Sequence, residues 1–194
     1  MSETSTSLLD RLREQPDSAS WQRWVDLYTP LIRGWLRRNA MLGPDADDVV
    51  QEVLAVVVRK LPQFHREPRT GAFRHWLRTI TVHCLRDFWR SKRLRPVATG
   101  DSNLLEMLDQ LEDPDSALSH QWDLEHDRHV THQLLELIKP KFEPSTWLAF
   151  QRVALEGVSP DQTAAELGMT VNAVFIAKSR VLSRLREEGE GLID

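Results

Sequence analysis

Apolar positions along this chain recur almost everywhere at steps of three and four. Trp21, Trp24, Val25, Tyr28, Leu31, Ile32, Trp35 and Leu36 make one stripe, and Ser20 stands where it can cap the helix that carries them. Pro30 falls inside that stripe and predicts a kink or a break, because proline has no amide proton for the helix ladder. Gly43-Pro44 reads as a stop and a restart, with Pro44 near a first helical position. Asp45, Asp47 and Asp48 then occupy a first turn, where acids complement the helix dipole. The following VLAVVV is β-branched enough to suit a buried strand. Gln51 and Glu52 break any period of two, however, and residues 45–61 contain no breaker, so the stretch predicts a helix buried on most sides. Pro62, Pro68 and Gly71 mark a loop over 62–71. Phe73, Trp76, Leu77, Ile80, Cys84, Leu85, Phe88 and Trp89 predict the next helix, which ends ahead of Pro96.

The second half is patterned differently. Between Val97 and Ser119 only LLEMLDQL has helical spacing, and Asp113-Pro114-Asp115 is a turn signal, so 96–127 reads as a linker. Val130, Leu134, Leu137 and Ile138 resume the helical pattern ahead of Pro140. Glu143-Pro144-Ser145 opens another helix, closed by Gly157. Residues 159–186 read SPDQTAAELGMTVNAVFIAKSRVLSRLR. Ser159 is an N-cap with Pro160 at the first helical position, Gly168 suits a left-handed helix end, and Thr170 caps a further helix. Two short helices, a glycine turn and alanines at the crossing predict a helix-turn-helix. No strand signal competes. The predicted fold is all-α, with two small helical domains (1–95 and 128–194), an acidic linker over 96–127 and a C-terminal helix-turn-helix.

Charge sharpens this division. The 194 residues carry a net charge of −4, but the average hides its distribution. Residues 59–95 carry a net +9 and residues 96–127 a net −9, the latter without one Lys or Arg. The basic stretch suits a polyanion such as nucleic acid, and the acidic one a solvated tether or a partner's basic channel. The plainer alternatives are that each solvates a helix face or that the two pair with each other. The longest apolar run, Val53 to Val58, is far short of the ~20 residues that span a bilayer. The N-terminus lacks the basic start and apolar stretch of a secretory signal. A single cysteine, Cys84, excludes an intrachain disulfide and a cysteine-rich metal site. These features predict a cytoplasmic protein with no membrane partner.

Two helices carry candidate chemistry. In the second helix of the helix-turn-helix, Thr170, Asn172, Phe175, Ile176, Lys178, Ser179, Arg180 and Arg184 belong to the cap and the solvent face, and Met169 to Arg186 contain four basic residues and no acid. Such a helix enters a major groove, with its first residues at base edges and later cations at phosphates. A purely structural helical hairpin is the alternative. In the helix after residue 72, Arg74, Arg78, Arg86, Arg90, Lys92 and Arg93 alternate with rings. Rings can stack unpaired bases while arginines track the backbone; Trp76, His83 and Trp89 are the candidates, with Thr79 on the same helix. Trp76 and Phe88 also fit an ordinary core.

DADDVVQEVLAVVVRKLPQF (45–64), FRHWLRTITVHCLRDFWRSKR (73–93), the acidic stretch and the helix-turn-helix, in this order, resemble a sigma factor of the sigma-70 family, in its two-domain extracytoplasmic-function group. The resemblance covers about residues 20–95 and 128–187. It implies a transcription initiation factor, not an enzyme, that needs no cofactor or metal and partners core RNA polymerase and promoter DNA, with room for an anti-sigma factor. By position, Asp47, Asp48, Gln51 and Glu52 match the family surface that docks on the polymerase clamp. Arg74 to Arg93 match the part that melts and reads the −10 element. The C-terminal unit matches the −35 reader, and the acidic stretch matches the segment that threads through the polymerase. Two departures stand out. His83 stands where the family usually has Asn, and Phe175-Ile176-Ala177 stand where its recognition helix often begins with basic and polar residues.

Two other readings fit parts of the chain. A stand-alone helix-turn-helix regulator would bind duplex DNA tightly without polymerase, usually as a dimer. His126, His129 and His132, with His120 nearby, have the spacing to bind a transition metal on one helix side, but no Glu-x-x-His context accompanies them and solvated linker histidines explain them better. No glycine-rich phosphate loop or nucleophile–base arrangement is present.

Overall fold

The computed structural model describes residues 7–14, 17–39, 42–64, 71–93 and 101–193, which contain helices and no strand. In chain order these are α1 (Leu8–Glu14), α2 (Ser18–Asn39), α3 (Ala46–Lys60), α4 (Ala72–Arg93), α5 (Asp101–Glu112), α6 (Ala117–Ile138), α7 (Pro144–Phe150), α8 (Pro160–Leu167) and α9 (Val171–Gly189). The chain divides into two compact units, one spanning Leu8–Val130 and the other Thr131–Glu190.

The first unit is built on the α2–α4 bundle. The α2 stripe places Trp24, Tyr28, Ile32, Trp35 and Leu36 in the core with at most 1% exposure. Trp24 stacks on Tyr28 at 4.8 Å between ring centroids, and Tyr28 meets Phe73 of α4 at 5.7 Å. Val49, Val50, Val53 and Val57 complete the contact from α3. Val58 is 44% exposed, so the valine-rich turn is buried on one broad face and leaves a wetted edge. Leu8, Leu9 and Leu12 bury a helix, α1, that the sequence pattern does not announce.

Local expectations for α2 need two corrections. Its cap is Asp17: the carboxylate accepts from the Ser20 backbone N–H at 2.7 Å and from the Ser20 hydroxyl. The bond from the Ser20 amide holds the Asp17 carboxyl below its ordinary range. Ser20 itself is buried inside the first turn. The helix also runs through Pro30 without ending. Nearby, the ring nitrogen Nε2 of His129 lies 2.7 Å from the Leu27 carbonyl oxygen, a long-range partner for the backbone just ahead of the proline.

The acidic stretch also differs from expectation. Residues 96–100 lie outside the described residues, but 101–112 and 117–127 are helical and belong to the first unit. Leu108, Leu111, Ser119, Trp122 and His126 are buried, and Trp122 meets Trp35 edge to face at 4.9 Å. The stripe has helical spacing, but serine and histidine stand at two of its positions and mute the apolar signal. The division between the units falls after Val130, inside α6.

The second unit folds around two small cores. Ile138, Trp147, Phe150 and Val181 form one. Ala149, Ala164, Val174 and Ala177 form the other, where α7, α8 and α9 cross closely because three of the four side chains are methyl groups.

Candidate nucleic-acid interface

Local chemistry sets the α8–α9 hairpin. The Ser159 hydroxyl accepts from the Gln162 backbone N–H at 3.2 Å. Gly168 ends α8 at φ 62° and ψ 33°, a left-handed geometry that costs glycine little. The Thr170 hydroxyl accepts from the Ala173 N–H at 3.1 Å and starts α9. Val174, Ala177 and Val181 turn inward and so fix the rotation of α9. Asn172, Phe175, Ile176, Ser179 and Arg180 are consequently exposed together on the opposite face. Lys178 is half-buried at the edge of this face. Arg184 is tied back by Glu187 at 3.1 Å and Glu188 at 2.7 Å.

The basic helix α4 is more constrained than its sequence suggests. Arg78 is only 3% exposed in its side chain. Its guanidinium meets Asp123 of α6 at 2.9 Å, donates to the Ser119 carbonyl at 3.3 Å and approaches His75 Nδ1 at 3.0 Å. Burial works against its charge, and Asp123 offsets part of that. Arg74 pairs with Asp127 at 2.8 Å and Asp123 at 3.5 Å. Arg86 pairs with Asp109 at 3.0 Å and with Glu112 of α5. Arg74, Arg78 and Arg86, expected to face DNA, therefore face the acidic helices in this structure. The two oppositely charged segments pair in part here, through three arginines and four carboxylates, as one of the plainer alternatives for their composition supposes. Arg38 of α2 joins them through Glu125 at 2.5 Å.

Other α4 candidates remain accessible. His83 and Arg90 are exposed, and Arg90 pairs with the exposed Asp87 at 3.3 Å. Trp76 is half-buried against Phe64 (4.9 Å) and Phe73 (5.6 Å), which makes it a core ring with one free side. Trp89 is half-buried with its ring edge-on to Phe88. The Thr79 hydroxyl donates to the His75 carbonyl at 3.0 Å. The side chains of Lys92 and Arg93 lie outside the described residues.

On α3, Asp48, Gln51 and Glu52 are exposed in a row, whereas Asp47 is held by Arg33 at 2.6 Å and Arg37 at 3.3 Å. A cavity of about 520 Å³ lined by residues of α3 and α4 has Asp48 and Glu52 on one wall and His83, Cys84 and Asp87 on the other. Burial, with Glu52 and Asp87 nearby, pushes the Cys84 thiol up to about 11.

Contrary to the expectation for a linker, the histidines of α6 are not all solvated: His126 and His129 have partners within the fold. His126 is fully buried; its Nδ1 lies 2.9 Å from Asp127 and its Nε2 3.3 Å from the Tyr28 hydroxyl. Burial holds its pKa below the ordinary value despite Asp127. His129 faces the Leu27 carbonyl, and His120 and His132 are exposed. Among the described residues no group of His, Cys, Asp and Glu is gathered as a metal site. The chain pattern alone could not reveal Tyr28, Asp123 and Asp127 as partners of α4 and α6; the charge segregation was the only hint.

Residues 24–95, most of the α2–α4 bundle with the stretch that follows it, match the family sigma-70 region 2. This places the protein among the sigma factors. The chain is 27% identical over 155 residues to the RNA polymerase sigma-E factor of Streptomyces avermitilis, covering 80% of this chain and 78% of that one. It is 28% identical to the factor of the same name from Streptomyces coelicolor, over 79% of this chain and 78% of the other. The ECF RNA polymerase sigma factor SigD of Mycobacterium tuberculosis is 31% identical over 147 residues, which is 75% of this chain and 64% of that protein. The chain belongs to the sigma-70 family of sigma factors, in the extracytoplasmic-function group, and its role is in transcription initiation.

Proposed function

We propose that this protein binds core RNA polymerase and directs it to promoters by reading two DNA elements with separate units. The observation that carries this reading is the exposed α9 face. A short, doubly capped hairpin presents Asn172, Phe175, Ile176, Ser179 and Arg180 together on α9, which carries no acid before Glu187. That face suits the major groove and the −35 element. The match to sigma-70 region 2 supports the other assignments. Asp48, Gln51 and Glu52, aligned and exposed on α3, are the polymerase-docking surface, and Asp47 sets their surroundings through Arg33 and Arg37. On α4, His83, Arg86, Trp89, Arg90, Lys92 and Arg93 are proposed to meet the −10 element, with Thr79 and the free side of Trp76 beside them. Arg86 joins that contact only if Asp109 and Glu112 of α5 release it, and Arg74 and Arg78 only if α6 releases them. The reaction chemistry belongs to the polymerase, and no cofactor is assigned. An anti-sigma factor is a proposed further partner, with no surface assigned to it.

Gel shift and run-off transcription, each with and without core polymerase, test the proposal. The expected result is promoter-specific binding and initiation only with polymerase present. Tight, polymerase-independent binding to a palindrome would instead identify a stand-alone regulator. Within the sigma reading, Asp48→Arg reverses one exposed charge on α3 and weakens association with core polymerase by about tenfold or more. Unchanged association would remove α3 as the docking face.

A further inference from the structure

The exposed apolar pair on α9 deepens the −35 assignment and rests on it. Val174, Ala177 and Val181 anchor α9 from beneath, so the opposite face is set by helix geometry and not by side-chain choice. Phe175 and Ile176 occupy the centre of that face and are 53% and 44% exposed. They share their stripes with polar groups one turn later: Phe175 with Ser179, and Ile176 with Arg180. Asn172 lies one turn before them. Two large apolar side chains thus sit in the leading turns of a helix whose next turns are polar and cationic.

This composition discriminates among partners. The cations of α9 and its lack of acid up to Arg186 fit any polyanion, and the capped α8–α9 hairpin favours duplex DNA over an acidic protein surface. Phenylalanine and isoleucine cannot donate to or accept from a base edge. In the major groove only thymine offers them an apolar group, its C5 methyl. We infer that Phe175 and Ile176 read thymine methyl groups in the upstream promoter element, while Asn172, Ser179 and Arg180 supply the polar and phosphate contacts around them. The ligand is therefore duplex DNA with a thymine-containing step at the position α9 enters.

The test uses the full chain with core polymerase. Selection from a promoter library randomised upstream first defines the bound element. That element is then rebuilt with deoxyuridine in place of thymidine, one position at a time, which removes only the methyl. The expected result is a loss of about fourfold at one or two adjacent thymines, the equivalent of one buried methyl group. Phe175→Ala and Ile176→Ala, both on an exposed face that leaves the core intact, should each abolish the difference between thymine and uracil at one of those positions. Equal binding of thymine and uracil throughout an element that is still selected overturns the methyl reading alone. Selection of no upstream element overturns both it and the −35 assignment. If Phe175→Ala weakens polymerase association but preserves discrimination against uracil, the pair is a protein contact and the inference fails.

Discussion

Replacing Asp123 with alanine tests the pairing between the basic and acidic segments most sharply. Asp123 reaches Arg78 at 2.9 Å and Arg74 at 3.5 Å, and Arg78 is 3% exposed. Without the carboxylate, a buried guanidinium keeps only the Ser119 carbonyl and His75, with a second arginine close by. Breaking a buried ion pair by removing one partner costs about 3–5 kcal/mol. Asp123 is 28% exposed and water replaces part of its role, so the expected loss lies near the lower limit, about 2–3 kcal/mol. For a chain of this size that lowers the melting temperature by roughly 4–12 °C. Calorimetry on the full chain reads it directly. Glu125→Ala is the control. It removes a pair whose arginine is 58% exposed, and solvent screening leaves such pairs worth about 0–1 kcal/mol. The double change Arg78→Met with Asp123→Leu should recover most of the stability, because apolar replacements leave no buried charge. An Asp123→Ala protein melting within about 1 °C of the parent would refute the claim that this pair is a buried element of the fold.

Three further outcomes follow. His126 is buried with its pKa below the ordinary 6.5, so the unfolded chain takes up its proton first as pH falls. Its neutral form is fully accommodated above about pH 6.5 and stability declines below it; Tyr28, Asp127, Arg74 and Asp123 are the groups that face it, and Asp127, also held low, adds its own loss only below about pH 4. Denaturation midpoints measured from pH 7.5 to 5 should fall in the parent and flatten in His126→Phe. Cys84, pushed up to about 11 by burial, holds roughly a thousandth of its thiol as thiolate at pH 8. A thiol reagent should label it slowly in the native protein and promptly in denaturant, and equal rates would contradict its burial. Gly168→Ala meets no atom within 4 Å but retains φ +62°. It should destabilise the second unit by about 1 kcal/mol through backbone strain alone, as measured by urea unfolding.

Residues whose partners are close in sequence were the legible ones. Ser159, Gly168 and Thr170 each act within four residues, so the α8–α9 hairpin follows from the chain directly. The α4 helix follows from apolar spacing, and α3 from the lack of a breaker over 45–61 and the break that Gln51 and Glu52 make in any period of two. Pro30 does not end α2, because proline removes one helix hydrogen bond while the buried stripe of Trp24, Tyr28, Ile32 and Trp35 on both sides of it holds the helix in place. In the acidic stretch the LLEMLDQL spacing marked α5, but the first half of α6 stayed hidden because Ser119 and His126 occupy core positions that an apolar pattern does not count. The candidate site was legible in composition more than in geometry. Alternation of rings and arginines marked α4, but the turn of Arg74 and Arg78 towards Asp123 and Asp127 is a tertiary choice.

Abortive initiation by purified core polymerase, with and without this protein, on a library of genomic promoter fragments tests the central claim most directly. The account predicts that transcripts start from a restricted set of fragments sharing two spaced elements, and only when the protein is added. Initiation that is identical in its presence and absence, with no retained complex, would contradict it.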